Sequence, residues 1–197
     1  METLLSICIG IGLSAACGFR VFVPLLVMSI ASMAGHLTLS PGFEWIGTYP
    51  ALAALAIATG LEIAGYYVPW VDNLLDTIAT PAAIVAGTIV MASTVSGMTP
   101  FLQWALAVIV GGGVAATVQV TTGMTRGVST LTTAGLGNPL VATMEVSGAM
   151  ILSLLAIGWP VLAGLVVLGL LGFAVDKVFG KEHGCPSQVP ASEETRR

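Results

Sequence analysis

Apolar stretches of about 20 residues recur along this chain, each long enough to cross a hydrocarbon core of roughly 30 Å as a helix. Hydrocarbon offers no water to satisfy backbone N–H and C=O groups, so such stretches are read as helices. Six spans are expected, at approximately 4–33, 51–68, 81–97, 101–123, 138–158 and 161–177. Only 8% of the 197 residues are charged, against about 25% in soluble domains, so a water-facing surface is not what this composition serves. No basic patch with interleaved aromatics exists, which excludes nucleic acid as a partner. The N-terminal stretch lacks a basic n-region and stays apolar past any cleavage point, so it is read as an uncleaved first helix.

Residues 1–180 are expected to form one all-α, polytopic transmembrane domain. The segment "KEHGCPSQVPASEETRR" (181–197) is expected as a polar, disordered cytoplasmic tail. Two halves, 1–97 and 98–180, hold three spans each. "LEIAG" (61–65) and "MEVSG" (144–148) share a pattern, and "AACGFR" (15–20) and "TTGMTR" (121–126) precede them, both ending in arginine. This is the trace of an inverted repeat, a construction that places a transporter's site at the repeat interface.

Lysine and arginine placement orients membrane proteins. With six spans both termini share a side, which gathers Arg126, Lys177, Lys181, Arg196 and Arg197, while the loops around 34–50, 98–100 and 159–160 carry none. Both termini are therefore expected in the cytoplasm. Trp45, Trp70, Trp104, Trp159, Tyr49, Tyr66 and Tyr67 fall near the expected interfaces, where amphipathic rings sit. Ala56, Gly60 and Ala64, and Gly112 with Ala116, stand at helix-packing spacing and are read as seams inside the bundle. Assembly into a homo-oligomer is left open.

Within the first span, "SAACGFRVFVPLLV" (14–27) places Arg20 near mid-membrane. An unpaired arginine there costs at least about 2.5–3.5 kcal/mol, and it cannot shed its proton. Gly18 and Pro24 bracket it, so the span is expected to tilt, protrude or break. Thr80–Pro81 and Gly137-Asn138-Pro139 interrupt other apolar segments. "STLTTAGLGNP" (129–139) is either a re-entrant segment lined by hydroxyls or a loop with Asn138 as a helix N-cap. "VPWVDNLLDTIATP" (68–81) has the pattern of a short interfacial helix, with Asp72, Asn73 and Asp76 on one face. Discontinuous helices are thus part of the expected fold.

Glu62, Asp76 and Glu145 are the acids that Arg20 can reach in or near the hydrocarbon region. Either these groups close a structural network, or they line a polar cavity in which Arg20 meets an anionic solute and the acids meet cations or protons. Asp72 and Asp76, at i and i+4, are a weak candidate for a divalent cation and a better one for a solvated face. Cys8, Cys17 and Cys185 form no framework, and no metal or other cofactor is expected. Enzyme chemistry has the least support: neither HExxH nor GxSxG occurs, and His36 and His183 lie outside the spans.

"GFRVFVPLL", "EIAGYYVPWVDNLLDTIATPAA" and "TRGVSTLTTAGLGNPLVATMEVSGAMILSLLA" together resemble the bacterial membrane family known as domain of unknown function 4126, from about Leu4 to Val175. The resemblance implies an all-helical inner-membrane protein whose polar features are Arg20, Glu62, Asp72, Asp76, Asn138 and Glu145. Where the family pattern often has a second acid, after the position of Glu145, this chain has Val146. The resemblance implies no activity. The leading expectation, from the residues, is a small-solute transporter or channel-like protein, with Arg20, Glu62, Asp76, Asn138 and Glu145 at the solute site and the lipid bilayer and a small anionic solute as partners. The alternatives are a membrane scaffold that organises lipid or a partner, with the same residues as locks, and an intramembrane enzyme acting on a lipid or quinone.

Overall fold

The computed structural model describes residues 2–134 and 136–179, without the side chains at 69, 70, 72–74, 76 and 173–179. The expected tail, with His183 and Cys185, lies outside the described residues. Every regular element among the described residues is helical. Four helical stretches are long and apolar enough to cross a membrane, Glu2–Phe19, Thr77–Thr94, Pro100–Thr133 and Asn138–Gly158, and three shorter apolar ones accompany them. The chain is an all-α membrane protein.

The expected first span is two helices. α1 (Glu2–Phe19) ends just before Arg20, and α2 (Phe22–Met33) begins after Val21. Pro24 supplies the reason. In a continuing helix its N–H would bond the Arg20 carbonyl, and proline has none; in the first turn of a new helix that donor has no partner to lose.

α2 does not continue in the direction of α1 but folds back. Along α4 (Pro69–Thr94), Ser14 Oγ donates to the Gly87 carbonyl at 2.9 Å, and Gly10 packs beside Met91 and Thr94. Ser93 Oγ in turn donates to the sulfur of Met28 at 3.4 Å. Residues 10 and 28 thus stand at one level of α4, although a straight helix would separate them by about 27 Å. Ser29 Oγ donates to the Ile46 carbonyl at 2.6 Å, and Ser40 N–H to the Ser93 carbonyl at 2.7 Å. These bonds tie the far end of the hairpin. α3 (Tyr49–Gly65) then runs antiparallel to α2, with Gly47 beside Ser32 at one end and Glu62 beside Val21 at the other. Because the hairpin returns Met33 to the end where α1 began, the even span count that placed both termini on one side no longer applies.

α4 is continuous from Pro69 to Thr94. "VPWVDNLLDTIATP" is therefore its first half and not a separate interfacial helix, and Pro81 sits inside it without ending it. Membrane helices tolerate such prolines because neighbouring groups re-satisfy the freed backbone. α5 (Pro100–Leu106), a π-helical stretch (Ala107–Gly112) and α6 (Gly113–Thr133) follow one another as a 34-residue rod, about 51 Å long. It runs well past the expected end at residue 123. "STLTTAGLGNP" is accordingly helical through Thr133 and turns tightly into α7 (Asn138–Gly158), so it is not re-entrant. α8 (Pro160–Phe179) follows after Trp159.

α1 lies at the centre, packed against α4, α6, α7 and α8. Small residues permit the approach: a methyl group at Gly18 would come within 2.5 Å of Val118 Cβ and 2.6 Å of the Ala115 carbonyl oxygen. Where the π-helical stretch meets α4, a methyl at Gly87 would lie 2.7 Å from the Gly111 carbonyl oxygen. The expected seam at Gly112 is present, against Thr88 and Ile84. The expected seam in α3 is not: Ala56, Gly60 and Ala64 face outward from the bundle.

Candidate functional site

Arg20 sits at the tip of the hairpin and is only 1% exposed. Its Nη2 donates to Glu145 Oε2 at 3.0 Å and to the Ala142 carbonyl at 3.2 Å. α7 runs antiparallel to α1, Gly12 beside Ala156 and Phe19 beside Gly148, and this brings Glu145 to the level of the tip. Arg126, two thirds of the way along α6, approaches the same carboxylate from another side. Its Nε donates to Glu145 Oε1 at 2.9 Å, and its Nη2 donates to Oε2. One carboxylate therefore serves two guanidinium groups, and both Glu145 and Arg126 are 4% exposed.

Tyr66, the residue after α3, is buried against both arginines, with Cζ of Arg20 3.7 Å and Cζ of Arg126 4.1 Å from its ring centroid. Cations over a desolvated aromatic face gain up to about 2 kcal/mol. This contact keeps two like charges beside each other in an apolar interior.

Glu62 has a different task. Its Oε1 accepts the N–H of Val21 at 2.8 Å and its Oε2 the N–H of Phe22 at 3.0 Å. These amides are orphan donors at the start of α2, and the positive end of the α2 dipole favours a carboxylate there. Glu62 is the clamp that makes a sharp helix reversal tolerable inside the bundle.

The cluster is not saturated. Arg20 Nε and Nη1 are buried without a hydrogen-bond partner, and so is the Thr59 hydroxyl, one turn before Glu62 in α3. Each such group costs about 1–3 kcal/mol. The charges are also uneven in use. Both oxygens of Glu62 are taken up by backbone amides, and Glu145 accepts from both guanidinium groups.

The structure thus brings Arg20, Glu62 and Glu145 to one place. Asn138 stands elsewhere: it opens α7, its Nδ2 donates to Thr130 Oγ1 at 3.1 Å across the turn from α6, and about 10 Å of helix separates it from Glu145. Gly137, and not Asn138, occupies the N-cap position of α7. Asp72 and Asp76 lie on α4, with side chains outside the described residues. A groove of about 540 Å³ between α2 and α7 is lined by apolar residues such as Leu26, Ile30, Met150 and Leu154 and includes none of the clustered charges.

Two members of the cluster are not expected from the sequence. Arg126 stands just past an apolar run, where it is indistinguishable from a loop charge, and Tyr66 has the position of an interface aromatic. The signal that points to Arg126 is the match of "TTGMTR" to "AACGFR", which aligns it with Arg20.

The chain matches the family described as Domain of unknown function (DUF4126) over residues 7–178 and belongs to that family, as the resemblance implied. No curated protein and no solved structure matches it.

Proposed function

We propose that this member of the family is a membrane transport protein for a small solute carrying an anionic group, which binds at Arg20 where the α1–α2 hairpin ends. The observation that carries the reading is the Arg20 guanidinium itself, buried in an apolar bundle with two of its three nitrogens lacking acceptors. A guanidinium retained only to lock helices together is stable when its donors are filled, because unfilled buried donors weaken the lock. Entry of a solute oxyanion beside Arg20 brings the acceptor that this cluster of donors lacks.

The surroundings support the same reading. Non-helical backbone at membrane depth survives where it is buried in protein or lines a cavity, and broken helices beside ionisable groups are a common build for transporter sites. Each half of the chain begins with an arginine-bearing apolar segment followed by an acid-bearing helix, and both arginines meet at Glu145. The protein is set in the cytoplasmic membrane of a bacterium and crosses it several times.

Thermal unfolding of the purified protein in detergent, with a panel of small anions, tests the proposal. A ligand at one hundred times its Kd stabilises by about 2.7 kcal/mol. The expected result is that one class of anion raises the unfolding midpoint of the wild type and not that of Arg20→Gln, after which flux of that anion is measured in liposomes. If no anion acts and Arg20→Gln merely lowers stability, the cluster is a lock and a scaffold role replaces transport.

A further inference from the structure

We infer that the hairpin tip is a carboxylate receptor, that Glu62 is its resident occupant, and that the solute's own carboxylate takes the same two amides beside Arg20. This names the solute class for the transport reading above and rests on it. Val21 and Phe22 present consecutive N–H groups, and each holds a different oxygen of one carboxylate, at 2.8 and 3.0 Å. Such a fork fits a planar group with two oxygens. The fork has one amide for each of two oxygens, and the further oxygens of a tetrahedral phosphate or sulfate find no amide there. The other anion in the cluster is also a carboxylate, Glu145, gripped from two directions by guanidinium groups.

Arg20 immediately precedes the two amides, is buried, and has two nitrogens without partners. The tip therefore offers two seats for carboxylates, the amide fork and the unfilled nitrogens of Arg20. When a solute carboxylate enters the fork, Glu62 moves to Arg20, so a charge already inside the bundle keeps a partner throughout. The exchange releases the clamp between α3 and α2, which couples solute entry to movement of the hairpin.

Chemical rescue of Glu62→Ala tests the inference. The full-length variant is unfolded thermally in detergent with sodium formate, sodium acetate, sodium chloride or sodium sulfate at matched ionic strength. The expected result is an unfolding midpoint below that of the wild type, largely restored by formate and acetate and unmoved by chloride and sulfate. Adding Arg20→Gln to Glu62→Ala abolishes the rescue. Glu62→Gln is run in parallel, because it keeps an acceptor for only one of the two amides and retains more of the fold; formate raises its midpoint more than that of the wild type. Absence of any formate response in both variants overturns the inference, and so does an equal response to all four salts. The transport reading is tested separately, by uptake of labelled formate and acetate into liposomes containing the wild type. Rescue without uptake keeps the receptor and ends the transport reading; uptake of another anion without rescue does the reverse.

Discussion

The two long apolar segments that open the halves of this chain resemble each other in composition and differ in shape. From Glu2 the chain rises through 18 helical residues, reverses, and returns through 12. From Pro100 it runs on for 34 residues without turning. Pro24 stands where it breaks the first segment, whereas the proline of the second, Pro100, stands at its start. The rod yields only to a π-helical stretch, which brings Gly111 against Gly87 and keeps the backbone bonded. Each segment carries an arginine in its later part, and both arginines end on Glu145. Apolar length therefore establishes that a segment enters the membrane, and not that it crosses. One missing N–H and one carboxylate able to receive the freed amides decide between a rod and a hairpin.

The largest effect on this comparison is expected from Glu145→Ala, which leaves Arg20 and Arg126 buried without their common acceptor. Breaking a buried ion pair by removing one partner costs about 3–5 kcal/mol, so the monodisperse fraction after extraction is expected to collapse. A variant as stable as the wild type would mean that the two segments are not joined through Glu145. Arg126→Gln is expected to be more destabilising than Arg20→Gln when thermal midpoints are compared, since Arg126 makes the bidentate contact and Arg20 a single one. The reverse order would assign the central lock to the hairpin and not to the rod.

Packing gives intermediate effects. Gly18→Ala forces a methyl group against Val118 and the Ala115 backbone, and overpacking of this kind costs about 1–3 kcal/mol. Gly60→Ala, with nothing near its outward face, is expected to leave the midpoint unchanged or to raise it by up to about 1 kcal/mol through helix propensity. An effect within about 1 kcal/mol is also expected for Pro24→Ala, because Glu62 still clamps the turn. Cysteines introduced at Met28 and Ser93, joined by a short bifunctional reagent, report whether the hairpin persists. If cross-linking is lost in Pro24→Ala, the proline alone made the hairpin and Glu62 merely follows it.

Much of this was legible in the sequence. Apolar runs with few charges dictate helices in a membrane, because hydrocarbon penalises every unpaired backbone group. Arg20, Glu62 and Glu145 stand out as costly charges in apolar segments, and Pro24 with Gly18 marks the break. The sequence does not contain the direction taken after the break, since hydropathy measures length along the chain without its sign. Pro24 and Pro81 look alike in sequence, yet one stands in the first turn of a new helix, where Glu62 receives the freed amides, and the other lies inside a continuous helix. Arg126 and Tyr66 are ordinary by position and become part of the cluster only through packing. Arg20 meets the Ala142 carbonyl 122 positions along the chain, and a bond over that separation is set by how helices stack, which no local pattern records.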